Sequence, residues 1–434
     1  MSPIARIAFL VVLAAGCSAP PLSLDLMPAP GIYSDGGFDP FTDDAPIESL
    51  PDFSLLYTTL RKPAGEDNRE RFYTNDRGKA LLAGVARVEV GRKDFTWEEA
   101  RRVSLAKNRP DRYPLEVTEV RNLGIIESSI FTPKALLETD HDVPERFATI
   151  INERLAESRK KDVYLYVHGY KVVFENPLLV ASELWHFLGY EGVMIAFSWP
   201  STPSKWAYFA DTETAVWSAQ GFRRLLTFLA EKTDAERIHI VGYSAGTRIV
   251  TLALQQIALM NQGQTRDEIR AAHRLGDVVL VGSDVDRELM GLYIEDGLLN
   301  VQDRLTFYLS GTDKALGMSR WALGGRTRMG ETMSGELSDE LREFLWNTEA
   351  LSFVDVTDAE ESDTGNGHAY FRRSPWASSD MLMTLSTDLG PEQRGLVRDE
   401  YSSIWTFPPD YVERLRIALD ETLPDSECCV SQDR

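Results

Sequence analysis

The feature that most constrains this chain is five residues long. Gly242-Tyr243-Ser244-Ala245-Gly246 lies between a β-forming run, Arg237-Ile238-His239-Ile240-Val241, and a helix-forming segment from Thr247 to Met260. A chain that leaves a strand and enters a helix this quickly must reverse sharply. The apex residue, Ser244, is then driven into a strained backbone conformation. Large side chains two before or two after the apex would collide, and both positions are glycine. The flanking strand and helix separate this run from a chance Gly-Ser-Gly turn and make Ser244 a candidate nucleophile.

With 434 residues, 43% of them hydrophobic and 26% charged, the chain can bury a large core. Its formal net charge is −21, and no lysine-arginine cluster is dense enough to follow a phosphate backbone. Nucleic acid is therefore not an expected partner. Acidic runs such as Asp358 to Asp363 read as solvated loops.

The N-terminus reads as an export signal. Arg6 supplies positive charge, Ile7 to Ala15 form a short apolar stretch, and Leu13-Ala14-Ala15-Gly16-Cys17 ends in small residues before a cysteine. The apolar stretch is too short to span a bilayer. Residues 1–17 resemble a bacterial lipoprotein signal, which implies lipidation of Cys17 and membrane attachment through that lipid. Plain secretion to the periplasm and a loosely ordered N-terminus are the alternatives. Ser18 after the cysteine points to a periplasm-facing outer-membrane location in the cell envelope. Cys428 and Cys429 are adjacent and bridge only with strain, so no disulfide framework is expected.

Residues 18–50 are rich in Pro, Gly, Ser and Asp and read as a tether. Phe53 to Leu60 and Leu82 to Val90 are β-rich, with Phe72 to Gly78 as the turn between them, which predicts two antiparallel edge strands. A βα alternation follows: helix over Pro144–Arg159, strand over Val163–Val167, a helix capped by Asn176, with Pro177 in its first turn, running to about Leu188, strand over Val193–Phe197, helix over Thr212–Leu229, then the Ser244 strand and helix. Strands at Asp277–Val281, Leu305–Leu309 and Leu351–Val356 and a helix over Ser338–Trp346 complete it. The fold class is α/β, with a mostly parallel central sheet, antiparallel edge strands and helices on both faces. The domain is expected over 51–390, with 391–434 as a separate extension.

Serine alone is a weak nucleophile; it needs a general base, and the base needs an orienting acid. Parallel strands place the loops that follow them on one edge of the sheet, where such groups can meet. His368, in the glycine-rich Gly365-Asn366-Gly367-His368, follows the last strand and is the candidate base. Asp313 follows the strand before it and is the favoured acid, with helix capping as its ordinary structural role. Asp284 and Asp286 compete for the same task. The oxyanion needs two backbone N–H donors. Ala245, after the serine, supplies one, and Tyr170, beside Gly169, is favoured for the other. His168 reads as structural. His239 sits mid-strand, as a packed histidine would.

Several segments in this order resemble the bacterial α/β-hydrolase family of uncharacterised esterase- or lipase-like proteins. They are Leu56-Tyr57-Thr58-Thr59-Leu60-Arg61, Tyr166-Val167-His168-Gly169-Tyr170 with Phe174, and Phe197-Ser198-Trp199-Pro200-Ser201. The serine turn, Ser283-Asp284-Val285-Asp286, Tyr308-Leu309-Ser310 with Asp313-Lys314-Ala315-Leu316, and Gly367-His368-Ala369-Tyr370-Phe371 complete the set. The resemblance covers about 55–375. It implies an α/β-hydrolase fold, a Ser244–His368–Asp313 triad and ester hydrolysis through an acyl-enzyme, acting on a small-molecule or lipid ester without metal or cofactor. Two departures stand out. Lys171 replaces the usual Asn after His-Gly-Tyr, and Tyr243-Ser244-Ala245-Gly246-Thr247-Arg248 replaces the usual His-Ser-Met-Gly-Asn-Arg. Cover over the site is expected from Thr202–Thr212, with Trp206, Tyr208 and Phe209, or from Gly317–Ser334. The alternatives are an acyltransferase and a non-catalytic envelope lipoprotein that uses the fold for binding.

Overall fold

The structure is a computed structural model that describes residues 23–34, 38–41, 54–65, 72–91, 95–109, 111–137, 141–204, 207–322, 326–331, 338–363, 365, 367–400 and 402–422. Cys17, the candidate signal of residues 1–17, Trp206, Asn366, Cys428 and Cys429 lie outside the described residues.

Among the described residues twelve strands form one sheet: β1 (Ser23–Asp25), β2 (Ser54–Pro63), β3 (Tyr73–Val90), β4 (Pro114–Ser128), β5 (Asp162–Val167), β6 (Val193–Ser198), β7 (Arg237–Tyr243), β8 (Leu275–Val281), β9 (Gln302–Leu309), β10 (Leu351–Asp355), β11 (Val397–Arg398) and β12 (Trp405–Thr406). Their order is β1-β4-β3-β2-β6-β5-β7-β8-β9-β10-β12-β11. The block from β2 through β12 is parallel. Antiparallel pairs flank it, β1, β4 and β3 on one side and β11 on the other.

The central strands are buried along their whole length, as in β5, β6 and β8. Helices cover both faces, so these strands carry continuous aliphatic runs rather than alternation. One face packs Phe147, Ile151, Phe222, Leu226, Ile249 and Leu254 from helices Val143–Glu157, Tyr208–Lys232 and Gly246–Met260. The opposite face packs Leu178, Leu184, Met381, Leu385, Tyr411 and Leu415 from helices Glu175–Phe187, Pro375–Ser386 and Tyr411–Thr422.

The structure departs from sequence expectation at both ends and at one edge. Residues 23–34 are no tether: β1 pairs with β4, and Leu26, Met27, Ile32 and Tyr33 are buried in the second core. Their prolines end strand pairing without preventing burial. Residues 391–422 are no separate extension, because β11 and β12 continue the sheet and Tyr411, Leu415 and Leu419 are buried under it. At the edge, β3 begins at Tyr73 rather than Leu82, so the segment expected to turn is strand, and β4 is an added partner. Asn176 lies inside its helix rather than before it, although its side-chain oxygen accepts from Val173 N–H (3.2 Å) at the helix start. No described helix is long and apolar enough to cross a membrane.

Candidate active site

All the elements that matter converge on the carboxyl edge of the parallel strands. Ser244 follows β7 and has φ 52°, the left-handed region that costs a non-glycine residue about 1–2 kcal/mol. Its N–H donates to Val281 O (2.9 Å), and its carbonyl accepts from Thr247 N (3.0 Å) and Thr247 Oγ1 (2.6 Å). These bonds hold the turn in place. The two flanking glycines are needed for space. A Cβ on Gly246 would lie 2.4 Å from His168 O, and one on Gly242 would press on Leu280 and Val250. Gly169 is equally tight: a Cβ there would lie 2.9 Å from Ser244 Cβ.

His368 follows β10, and its Nδ1 lies 2.6 Å from Asp313 Oδ2. The other oxygen, Oδ1, accepts from the N–H groups of Ala315 (3.0 Å) and Leu316 (3.1 Å) at the start of helix Lys314–Ala322. Asp313 thus caps a helix with one oxygen and pairs with the imidazole through the other. The His368 ring packs on Tyr243, the residue before Ser244, with centroids 5.0 Å apart. A Cβ on Gly282, next to the carbonyl that receives the Ser244 N–H, would lie 3.0 Å from His368 Cε1. Ser244, His368 and Asp313 are 5%, 7% and 7% exposed, so this chemistry is shielded from bulk water.

The loop carrying His368 is anchored just beyond it. Tyr370 OH donates to Tyr308 O (2.7 Å) and accepts from Gly282 N (2.7 Å). Arg372 pairs with the fully buried Glu183, its Nη2 3.0 Å from Oε1. The sequence offered no signal for these two anchors beyond their closeness to His368.

The competing acids are engaged elsewhere. Asp284 Oδ2 accepts from Arg248 Nε (2.9 Å) and Tyr208 OH (2.8 Å), and Ser319 Oγ bonds to Oδ1. Asp286 caps helix Arg287–Glu295 by accepting from Glu288 N and Leu289 N, each at 3.1 Å.

The Tyr170 loop follows β5. Burial and the Arg61 cation hold His168 well below the usual histidine range, and therefore neutral. Its ring stacks on Trp199, and its Nε2 accepts from Trp199 N (3.1 Å). The buried Arg61 ties the same loop to β6 by donating to Val172 O (3.1 Å) and Ser198 Oγ (3.0 Å). Lys171 has φ 65°, which explains the asparagine expected there, since Asn enters this region more readily than Lys. Of the expected cover, Tyr208 turns inward to Asp284, whereas Phe209 is 62% exposed. Among the described residues, no group of three or more His, Cys, Asp or Glu side chains could hold a metal ion.

The family model described as "Alpha/beta hydrolase of unknown function (DUF900)" matches residues 144–384, more than half of the 434. The chain belongs to this family. The DUF900 match runs from the helix before β5 through helix Pro375–Ser386, and so takes in Ser244, Asp313 and His368. The sheet described above is an α/β-hydrolase fold. No curated protein matches the chain. Among solved structures, two of esterase B from Lactobacillus rhamnosis are similar. One, inhibited by a C4-C4 tributyrin phosphonate, has TM-score 0.30 and 11% identity over 62% of this chain and 81% of that one. The other, C6-C4 inhibited, has TM-score 0.27 and 11% identity over 62% and 82%.

Proposed function

We propose that this α/β hydrolase is a serine esterase, with Ser244 as nucleophile, His368 as general base and Asp313 as the acid that orients it. The proposal rests on one observation above others: His368 Nδ1 pairs with Asp313 Oδ2 at 2.6 Å on the sheet edge where a serine is held at φ 52°. With Nδ1 donating to Asp313, the imidazole is fixed as the tautomer whose Nε2 accepts a proton.

His368 Nε2 takes the Ser244 hydroxyl proton as Oγ attacks an ester carbonyl. The carbonyl electron pair moves to oxygen, and the oxyanion is stabilised by the N–H groups of Tyr170 and Ala245. As the tetrahedral intermediate collapses, the bond to the leaving alcohol breaks and His368 gives the alcohol its proton. Water, deprotonated by His368, then attacks the acyl-enzyme, and Ser244 leaves with the returned proton. The N-terminus of helix Gly246–Met260 adds a favourable dipole beside the Ala245 donor. The substrate is a small-molecule or lipid ester.

Ser244→Ala tests this directly. Hydrolysis of p-nitrophenyl butyrate is expected to fall by a factor of about 10⁴ or more, and covalent labelling by a fluorophosphonate probe to vanish. Undiminished labelling of the variant would refute the assignment.

A further inference from the structure

An oxyanion hole made from two backbone amides has a mechanical difficulty. Here its two donors belong to segments far apart in sequence, the Tyr170 loop after β5 and the Ala245 turn after β7. The two segments lie side by side, with β5 paired to β7 as far as Val167 and Gly242 and the backbones in close contact at Gly169 and Gly246, but both donors lie beyond the last paired residues. Their spacing relative to each other is a separate quantity, and oxyanion stabilisation depends on it within a few tenths of an ångström.

Tyr208 belongs to neither segment and touches the supports of both. It opens helix Tyr208–Lys232. Its ring meets the Tyr170 ring edge-on, with centroids 5.3 Å apart and planes at 78°. Its hydroxyl donates to Asp284 Oδ2 (2.8 Å) and lies 2.7 Å from Ser319 Oγ. Asp284 in turn grips the helix behind the nucleophile at two points. Its carboxylate accepts from Arg248 Nε (2.9 Å), and its N–H donates to Thr247 Oγ1 (3.2 Å). Thr247 Oγ1 bonds to the Ser244 carbonyl (2.6 Å). A short chain of contacts therefore runs from Tyr170 through Tyr208 and Asp284 to Thr247 and Ser244. Asp284 is 2% exposed, and Arg328, itself 2% exposed, adds a second cation 3.9 Å from its Oδ1. Charged groups this buried hold their geometry firmly, because separating them leaves an uncompensated charge.

We infer that Tyr208, held by Asp284, is a positioning residue that fine-tunes the spacing of the two oxyanion-binding amides beyond the paired ends of β5 and β7. This rests on the serine-esterase proposal. Tyr208 touches no reacting atom; it acts through Tyr170 on one side and through Asp284 and Thr247 on the other. Asp284, a candidate acid on sequence grounds, thereby has a different task.

The test is Tyr208→Phe, which keeps the ring against Tyr170 and removes only the hydroxyl tether. Full loss of one oxyanion donor costs about 10²- to 10³-fold in kcat, so loosening one is expected to cost about tenfold. On p-nitrophenyl butyrate, kcat should fall about tenfold while KM changes less than twofold, and inactivation by the fluorophosphonate should slow by the same factor. Asp284→Asn should lower kcat in the same way, and the double variant should be no worse than the poorer single one. Where Asp284→Asn does not accumulate as folded protein, Ser319→Ala takes its place in the cycle. A purely structural role would lower the melting temperature and leave kcat alone. That result, or a change confined to KM, overturns the inference. Probe labelling that survives Ser244→Ala overturns the esterase proposal, and the positioning role with it.

Discussion

Gly282 shows how little room the candidate site leaves. Its φ is 54°, and a methyl group added there would lie 3.0 Å from His368 Cε1 and 3.1 Å from Nδ1. To relieve these contacts the imidazole has to give by a few tenths of an ångström against Asp313. Gly282→Ala is expected to cost about 1–2 kcal/mol from backbone strain alone. Because displacement of a reacting group by about 1 Å costs on the order of 10²-fold, a shift of this smaller size should lower kcat by about tenfold. Urea denaturation and steady-state kinetics measure the two effects; a kcat within threefold of the parent would mean that His368 does not need its present position. The Gly-x-Ser-x-Gly run was legible from sequence because steric exclusion leaves a local signature. Gly282 was not legible, since what crowds it arrives from a loop more than eighty residues later.

At the scale of elements, the loop from Gly367 to Arg372 shows what holds the candidate base, His368, on an irregular segment. The Tyr370 hydroxyl satisfies one buried amide and one buried carbonyl from two different strand ends. Tyr370→Phe removes one short bond from each group, leaving them the longer direct bond from Gly282 N–H to Tyr308 O (3.3 Å), and should destabilise the protein by about 1 kcal/mol. It should also lower kcat with little change in KM, since Tyr370 is buried away from solvent; an unchanged kcat would show that Arg372 anchors the loop without it. The parallel strands were readable because burial on both faces demands unbroken aliphatic runs. β4 was not. It carries Glu116, Glu119, Arg121 and Asn122 and alternates buried and exposed positions over only part of its length. The polar stretch Asn75-Asp76-Arg77 likewise imitates a turn, yet it lies within β3, where Arg77 pairs in register with Arg61 and bonds to Thr214. His368 and Asp313 could be nominated from chain order, but their pairing is a property of the folded sheet.

For the whole molecule, the sheet edge opposite Ser244 carries a buried charge cluster. His239 of β7 lies between Asp162 of β5 and Asp277 of β8, and Arg304 of β9 bonds to Asp277 (3.0 Å). Burial by itself would raise the Asp277 carboxyl, but the interactions with His239 and Arg304 outweigh it and hold the group below its ordinary value. A depressed carboxylate contributes stability that is fully present above its unfolded value, near 4, and is lost as pH falls through the still lower folded value. Asp277→Asn should therefore cost about 3–5 kcal/mol at pH 7, by leaving Arg304 underpaired, and should flatten the loss of stability below about pH 4. Urea midpoints taken from pH 7 down to 3 decide this. Curves for parent and variant that stay parallel throughout would contradict it.

The two ends of the described chain are interlocked. Gly31 N–H donates to Pro375 O (2.9 Å), Ile32 N–H to Ser379 Oγ (3.1 Å), and Arg416 Nη2 to Ser34 O (2.7 Å). The N-terminal described segment thus draws part of its bonding from residues made last, although β1 pairs with β4 and the Tyr33 hydroxyl donates to Phe187 O (2.7 Å). Such a molecule cannot fold vectorially as it leaves a ribosome or crosses a translocation pore. The backbone around Ile32 lacks its helix Pro375–Ser386 partners until those residues are made, and over that interval it is open to chaperones and proteases.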